Sequence, residues 1–167
     1  MSQKNHKPAP PTTRPKTRFK SIATNKTAYH DYFIEETFEA GAVLEGWEVK
    51  SIRAARIQLK DSYVIIKNEE AWILGMHISP IITASTHKIP DATRVRKLLL
   101  HRNQIDKLFG KVQQQGYSLV LTKMYFKNSR VKVELALAKG KKLYDKRRTL
   151  KEKDLKREAE AVRKQYA

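Results

Sequence analysis

From Tyr29 onward, apolar side chains fall into patterns that predict one element after another. Tyr32, Phe33, Ile34 and Phe38, set among Glu and Thr, predict a strand that Gly41 ends. Val43 and Leu44 stand four and three residues before Trp47, the spacing of one helical face, so a short helix is expected over 42–54. Asp61–Lys67 and Ala71–Ser79 carry nearly continuous apolar runs on either side of a turn at Asn68–Glu70. Such runs belong to strands in a closed or doubly covered sheet. Residues 80–97, punctuated by Pro80 and Pro90, read as irregular and end in the basic cluster Arg94, Arg96 and Lys97.

Ile105, Leu108, Phe109 and Val112 recur at i, i+3, i+4 and i+7 and predict the clearest amphipathic helix of the chain. His101 and Gln104 suit a weak capping box at its start, and Gly116 the left-handed position beyond its end. Tyr117–Phe126 and Val131–Ala138 then flank Lys127–Arg130 as a hairpin. Val131, Val133, Leu135 and Leu137 alternate with Lys132, Glu134 and Ala136, so one face is expected in the core and the other in water. Five strand segments and two body helices without a βαβ rhythm make the expected fold mainly β: a small antiparallel barrel with helices packed at its ends.

The two ends of the chain read differently. Residues 1–24 are mostly Pro, Thr, Lys and Arg, with Pro8, Pro10, Pro11 and Pro15, and are expected to be disordered because they bury too little to offset their ordering entropy. Beyond Gly140 come Lys141, Lys142, Lys146, Arg147 and Arg148, then a capping box at Thr149 and Glu152 and a run of helix formers to Lys164. Leu155, Ala159, Val162 and Tyr166 make a stripe one residue wide, and Glu152–Lys156 and Glu160–Lys164 are well-oriented pairs. A lone helix of that kind is marginal in water, so the tail is expected to order only against a partner. The expected organisation is an extension over 1–24, a body over 25–139 and a tail over 140–167.

Charge sharpens this division. The chain carries a formal +18, from 35 Lys and Arg against 17 Asp and Glu. Residues 1–27 hold seven basic side chains and no acid, residues 28–138 sixteen against twelve, and residues 139–167 twelve against five. The middle is an ordinary soluble domain; the ends call for a polyanion, and RNA phosphates are the natural one. Aromatics interleaved with the cations (Tyr29, Tyr32, Trp47, Tyr125, Phe126, Tyr144) are candidates for stacking on unpaired bases, although core packing is the simpler reading for all but Tyr144.

Signals for chemistry are absent from the sequence. There is no cysteine, and His6, His30, His77, His87 and His101 show no ligand spacing. Glu35, Glu36 and Glu39 fit a solvated strand face better than an acid–base pair. Gly110-Lys111 and Gly140-Lys141 lack the rest of a phosphate loop. A cytoplasmic, non-enzymatic protein is expected, with no cofactor, no metal, no membrane and no small-molecule substrate.

Particular residues also resemble a known family. Asn25-Lys26, Tyr32-Phe33-Ile34-Glu35-Glu36, Phe38-Glu39-Ala40-Gly41 and Gly46-Trp47-Glu48-Val49-Lys50-Ser51-Ile52-Arg53 are similar to the small protein B (SmpB) family of SsrA-binding proteins. So are Asp61-Ser62-Tyr63, Arg96-Lys97-Leu98-Leu99-Leu100, Tyr125-Phe126-Lys127-Asn128, Ala138-Lys139-Gly140-Lys141-Lys142 and Asp145-Lys146-Arg147. The resemblance runs from about Asn25 to about Lys153 and implies an oligonucleotide/oligosaccharide-binding (OB) type of barrel. It also implies trans-translation: the body binds the tRNA-like domain of transfer-messenger RNA (tmRNA) and stands in for a missing anticodon arm. The tail becomes helical in the decoding centre and empty messenger channel of a stalled ribosome, against small-subunit rRNA. Carried over by position, Asn25, Lys26, Glu39, Lys50, Arg53, Leu99 and Lys132 are the implied RNA-face residues. Gly140, Lys141, Lys142, Tyr144, Asp145, Lys146 and Arg147 are the implied decoding-centre segment. Three departures stand out: Ala55 replaces a common glycine, so a different backbone is expected at that turn; Leu121-Thr122 stands where the family often has Pro-Leu; and Tyr144 stands where some members have histidine.

Two other readings compete. A constitutive structural ribosomal protein has the same basic ends but no need of the motif series, and an RNA-processing enzyme requires a residue set that the chain does not display.

Overall fold

A computed structural model describes residues 19–81, 90–114 and 116–165. The expectation for residues 1–18 lies outside the described residues. Nine strands and four helices follow one another within them: β1 (Phe19–Thr24), α1 (Lys26–Asp31), β2 (Tyr32–Ala42), α2 (Gly46–Arg53), β3 (Ile57–Gln58), β4 (Tyr63–Lys67), β5 (Glu70–Leu74), β6 (His77–Ile78), β7 (Arg96–Leu99), α3 (Arg102–Val112), β8 (Tyr117–Lys127), β9 (Arg130–Gly140) and α4 (Leu143–Gln165).

The pairings β8–β4–β5–β7–β2–β9 return to β8 and close an antiparallel ring of six strands; the pattern predicted a barrel of five strand segments, and the resemblance implied its OB type. Edges stay open where a long strand runs past a short neighbour: β2 past β7, and β8 past β4. Along β8, the strand β1 covers the opening, pairing over Lys123–Lys127. That pairing corrects the expected disorder of residues 19–24. Polar composition hid the strand, which gains its order from an edge supplied a hundred residues later.

Inside the ring lie Phe38, Ala40, Ile73, Leu98, Leu121, Met124, Val133, Leu135 and Leu137, all buried. The alternation in β9 puts Val133, Leu135 and Leu137 inward, as expected. In β8 the alternation changes phase: Leu119 and Leu121 point to the core before an irregularity between Leu121 and Lys123, and Met124 and Phe126 after it. Thr122 is the extra residue, and its hydroxyl donates to the Glu134 carbonyl at 3.1 Å and carboxylate at 2.7 Å. The outer face of β9 is only half wet. Ala136 and Ala138 are buried with Val120 beneath Ala28 of α1, a short helix the sequence reading missed.

Other boundaries shift for local reasons. Gly41 does not end β2; it pairs with Leu99 on one side and Lys132 on the other. Val43 and Leu44 fall outside α2, which starts after Glu45, where Glu45 and Glu48 form a reciprocal capping box. Gly75 divides the expected Ala71–Ser79 strand: its φ is 72°, and a Cβ there would meet the Asp61 carbonyl oxygen at 2.3 Å. The hairpins β4–β5 and β8–β9 turn on Asn68-Glu69 and Asn128-Ser129, all four residues at positive φ, as a two-residue type I′ loop requires. Gly116 is left-handed at φ 88°, but α3 is capped three residues earlier at Gln113. Only Ile105 and Leu108 of α3 are buried; Phe109 and Val112 remain at the surface.

The Arg94, Arg96 and Lys97 cluster was expected in irregular chain, yet Arg96 opens β7 and is 0% exposed. Its Nε donates to Glu48 Oε1 at 2.6 Å, and its other nitrogens donate to the Met76, Arg94 and Ala92 carbonyls. Arg94 donates to the second Glu48 oxygen at 2.6 Å. Burial alone raises the Glu48 pKa, but the hydrogen bonds from Arg94, the Glu45 N–H and Arg96 outweigh it and hold the carboxyl below its ordinary value. Lys97 pairs with Glu70. Cations that look like an RNA patch in sequence are thus spent on the body.

Candidate nucleic-acid interface

Register in the sheet brings three of the implied RNA-face residues together. Leu99 of β7 lies opposite Gly41 of β2, Gly41 opposite Lys132 of β9, Lys132 opposite Tyr125 of β8, and Tyr125 opposite Ser21 of β1. This row crosses five strands on the outer surface of the barrel, because Ala40, Val133, Leu98 and Met124 alternate with it into the core. One step along, Glu39 faces Glu134, which in turn faces Lys123. Without a side chain at Gly41, Leu99 lies across the strand: a Cβ would come within 3.4 Å of Leu99 Cδ1. Leu99 is 56% exposed, an apolar contact surface set among charges.

Glu39 is held from two sides. The Tyr125 hydroxyl donates to its Oε2 at 2.5 Å, and Lys127 Nζ donates to Oε1 and Oε2 at 2.9 and 3.1 Å. These bonds keep the Glu39 carboxyl below its ordinary range, the Tyr125 hydrogen bond most and Lys127 next, with Lys132 adding attraction. Burial, followed by the hydrogen bond and charge of Glu39, pushes the Tyr125 hydroxyl well above the normal tyrosine value, so it stays a neutral donor. The face therefore offers a fixed anion, an ammonium on each side and an exposed leucine. That set suits base edges, ribose hydroxyls and phosphates together.

The remaining implied residues are distributed elsewhere. Asn25 is 3% exposed and fully occupied. Its Nδ2 donates to the Leu59 and Leu121 carbonyls, both at 2.9 Å, and its Oδ1 accepts the Ala28 N–H at 3.1 Å as the N-cap of α1. Asn25, an implied RNA-face residue, thus has its side chain buried and engaged in locking α1 onto the barrel. Lys26 is exposed on the first turn of α1, beside a surface groove shared with Gln58 and Lys60. Lys50 and Arg53 are exposed on α2, and Arg53 reaches a groove with Phe19, Lys20, Phe126 and Ser129.

Ala55 is also corrected. A new backbone was expected where alanine replaces glycine, yet Ala55 takes the glycine-like left-handed conformation, φ 56°. The Arg56 N–H donates to the Ser51 carbonyl at 2.9 Å and the Ala55 N–H to the Ile52 carbonyl at 3.0 Å. This pair of bonds is the Schellman closure of α2, and it holds the alanine against its preference.

The tail begins at the opposite end of the same ladder. Gly140 pairs with Tyr32, nine residues before Gly41 on β2, which separates the two ends by about 30 Å at roughly 3.3 Å per residue. Asp31 gathers the root of the tail: its carbonyl accepts the Lys141 N–H at 2.8 Å, and its carboxylate meets Lys146 Nζ at 3.0 Å and His30 Nδ1 at 2.9 Å. Lys141 Nζ donates to the Tyr29 carbonyl at 3.3 Å and lies 4.9 Å from the Phe33 ring centroid. From Leu143, α4 continues to Gln165 without a further contact to the body among the described ion pairs and hydrogen bonds. The tail was expected to order only against a partner; in the structure α4 is helical and the body contacts its first turns through Asp31. The capping box at Thr149 does not form, because Thr149 lies within α4 and its hydroxyl bonds the Asp145 carbonyl at 2.9 Å. The ion pairs formed are Arg148–Glu152 and Arg157–Asp154 instead of the expected two. Lys142, Tyr144 and Arg147 stay exposed, with Tyr144 at 64%.

Trp47 and Phe126 pack partly against the core, as the simpler reading had it. Sequence reasoning missed Lys127 and Tyr125 as partners of Glu39; the Tyr125–Lys127 strand was visible, but its distance in sequence from Glu39 concealed the contact. Among the described residues no three His, Asp or Glu side chains gather to hold a metal ion, and no helix is long and apolar enough to cross a membrane.

Comparison with known proteins agrees with this geometry. The sequence model of the family described as SmpB protein matches residues 22–165. The SsrA-binding protein of Bordetella pertussis is 60% identical over 144 residues, which cover 86% of this chain and 93% of that protein. That of Pseudomonas aeruginosa is 62% identical over 138 residues, covering 83% and 87%. A solved chain described with tmRNA–SmpB at the centre of the bacterial ribosome superposes with a TM-score of 0.61 at 42% identity, covering 72% of this chain and 85% of that one.

Proposed function

The chain belongs to the SmpB protein family, and on that premise we propose how its two ends divide one task. It is a tmRNA-binding adaptor of trans-translation that acts on stalled ribosomes. The barrel face of Glu39, Leu99, Lys132, Tyr125 and Lys127 receives the tRNA-like domain. The tail rooted at Asp31 carries Lys142, Tyr144 and Arg147 to the decoding centre, and α4 into the messenger channel. No chemistry of its own is assigned to it, and its place of work is the cytoplasm, where ribosomes are.

The observation that carries this reading is the five-strand row, which assembles Leu99, Gly41, Lys132 and Tyr125 on one outer surface about 30 Å from the tail root. A tRNA-shaped ligand gripped at one end of the barrel leaves the other end free for the ribosome. Affinity from phosphates falls steeply with salt, whereas contacts to base edges and 2′-hydroxyls keep the choice of RNA. Recovering and sequencing the RNA bound to the protein in cells tests this. Enrichment of tmRNA over rRNA is expected; uniform co-purification with every ribosome points to the structural ribosomal protein instead.

A further inference from the structure

Beside the Glu39 face, an open groove of about 710 Å³ is lined by Phe19, Lys20, Arg53, Phe126 and Ser129. Its size falls in the range of ligand-binding clefts, roughly 300–1,000 Å³. Phe126 packs partly into the core. Phe19 does the opposite: it is 62% exposed although it is a large apolar ring in a strand. The ring is nevertheless held in place. Lys127 Nζ lies 5.5 Å from its centroid, and the Tyr125 ring centroid lies 5.9 Å away at 58°.

Among the described residues, no carboxylate pairs with the cations of the groove. All 17 acidic side chains of the chain lie among the described residues, and none pairs with Lys20 or Arg53. This contrasts with Arg94, Arg96 and Lys97, which are paired within the body. A groove lined by an exposed aromatic ring and by two cations without an ion-pair partner fits a ligand that is planar on its faces and anionic beside them. An unpaired nucleobase with its flanking phosphates has that chemistry.

We infer that this groove is a second RNA subsite, in which an unpaired base stacks on Phe19 while Lys20 and Arg53 hold the phosphates around it. The inference rests on the RNA-binding reading above. A free mononucleotide has the same chemistry, but the groove is continuous with the Glu39 face, since Tyr125 and Lys127 touch both Glu39 and Phe19. That continuity assigns the groove to the bound RNA strand.

The test measures binding of the full chain and its variants to a transcript of the tmRNA tRNA-like domain. Phe19→Ala is expected to weaken affinity roughly 5- to 100-fold and Phe19→Tyr by less than about twofold, as the loss or retention of one stacked base requires. Equal affinity of wild type and Phe19→Ala overturns the inference, while failure of the wild type itself to bind overturns the RNA-binding reading as well. A benzophenone side chain installed at position 19 gives an answer independent of folding in Phe19→Ala. Crosslinks to an unpaired nucleotide support the subsite; crosslinks to paired stems alone, or none in a bound complex, overturn it. Adenosine monophosphate that protects position 19 while Phe19→Ala keeps full RNA affinity also overturns it, in favour of a free nucleotide.

Discussion

Tyr125 donates its hydroxyl to Glu39 at 2.5 Å from two strands away, across β9. The bond turns an acid on a basic protein into a fixed acceptor on the surface proposed to face RNA. Glu39→Ala removes that acceptor and frees Tyr125 and Lys127. Affinity for the tRNA-like domain is expected to fall by about tenfold, the lower end of what a hydrogen bond to a charged group is worth. The melting temperature is expected to change little, because the group is at the surface. Unchanged affinity removes Glu39 from the interface.

Ala55 sits at φ 56° in the left-handed closure of α2. Glycine at this position relieves the Cβ clash without altering a hydrogen bond, so Ala55→Gly is expected to stabilise the fold by about 1 kcal/mol and raise the melting temperature by about 3 °C. A lower melting temperature shows that the strain account of this turn is wrong.

Glu48 and Arg96 are both 0% exposed and bonded at 2.6 Å. Removing Arg96 strips Glu48 Oε1 of its hydrogen bond and leaves Arg94 as the only cation on the buried carboxylate, so Arg96→Met is expected to cost about 1.5–3 kcal/mol in denaturant unfolding. A cost below about 1 kcal/mol, the scale of surface ion pairs, contradicts the buried-pair assignment.

Asp31 secures α4 through Lys146, and its carboxyl lies below the ordinary 3.8 because of the hydrogen bonds from His30 and then Lys146. A depressed carboxylate contributes above its unfolded pKa, and the contribution is lost as pH falls through the folded value. Docking of the tail root is therefore expected to be full at neutral pH and lost in acid below pH 3.8. Asp31→Asn reproduces the acid state at pH 7: amide exchange over residues 141–150 speeds up, by as much as about fivefold for a partly exposed pair. Exchange equal to wild type contradicts the latch.

The barrel was legible in the sequence chiefly through β9, whose inner positions alternate cleanly: Val133, Leu135 and Leu137 read as a buried face and are one. What escaped notice depends on partners distant in the chain. β1 has no apolar pattern and exists through β8; β7 looks like a basic loop because Arg96 spends its charge on Glu48. The candidate site was legible in part. Glu39, Leu99 and Lys132 came from family motifs, and register gathers them; Asn25 came from the same source and is buried. Motifs mark which positions matter, but only packing separates a residue that touches the ligand from one that holds the fold.

The division of labour between barrel and tail is the central claim, and one truncation measures it. Ending the chain after Gly140 keeps β9 and every strand of the ring while deleting α4 and the basic segment before it. Binding of that truncation to the tmRNA tRNA-like domain is expected to stay within about tenfold of the full chain, the loss reflecting fewer phosphate contacts, while peptide tagging on stalled ribosomes disappears. Loss of RNA binding together with tagging, or tagging that survives the deletion, would contradict the account.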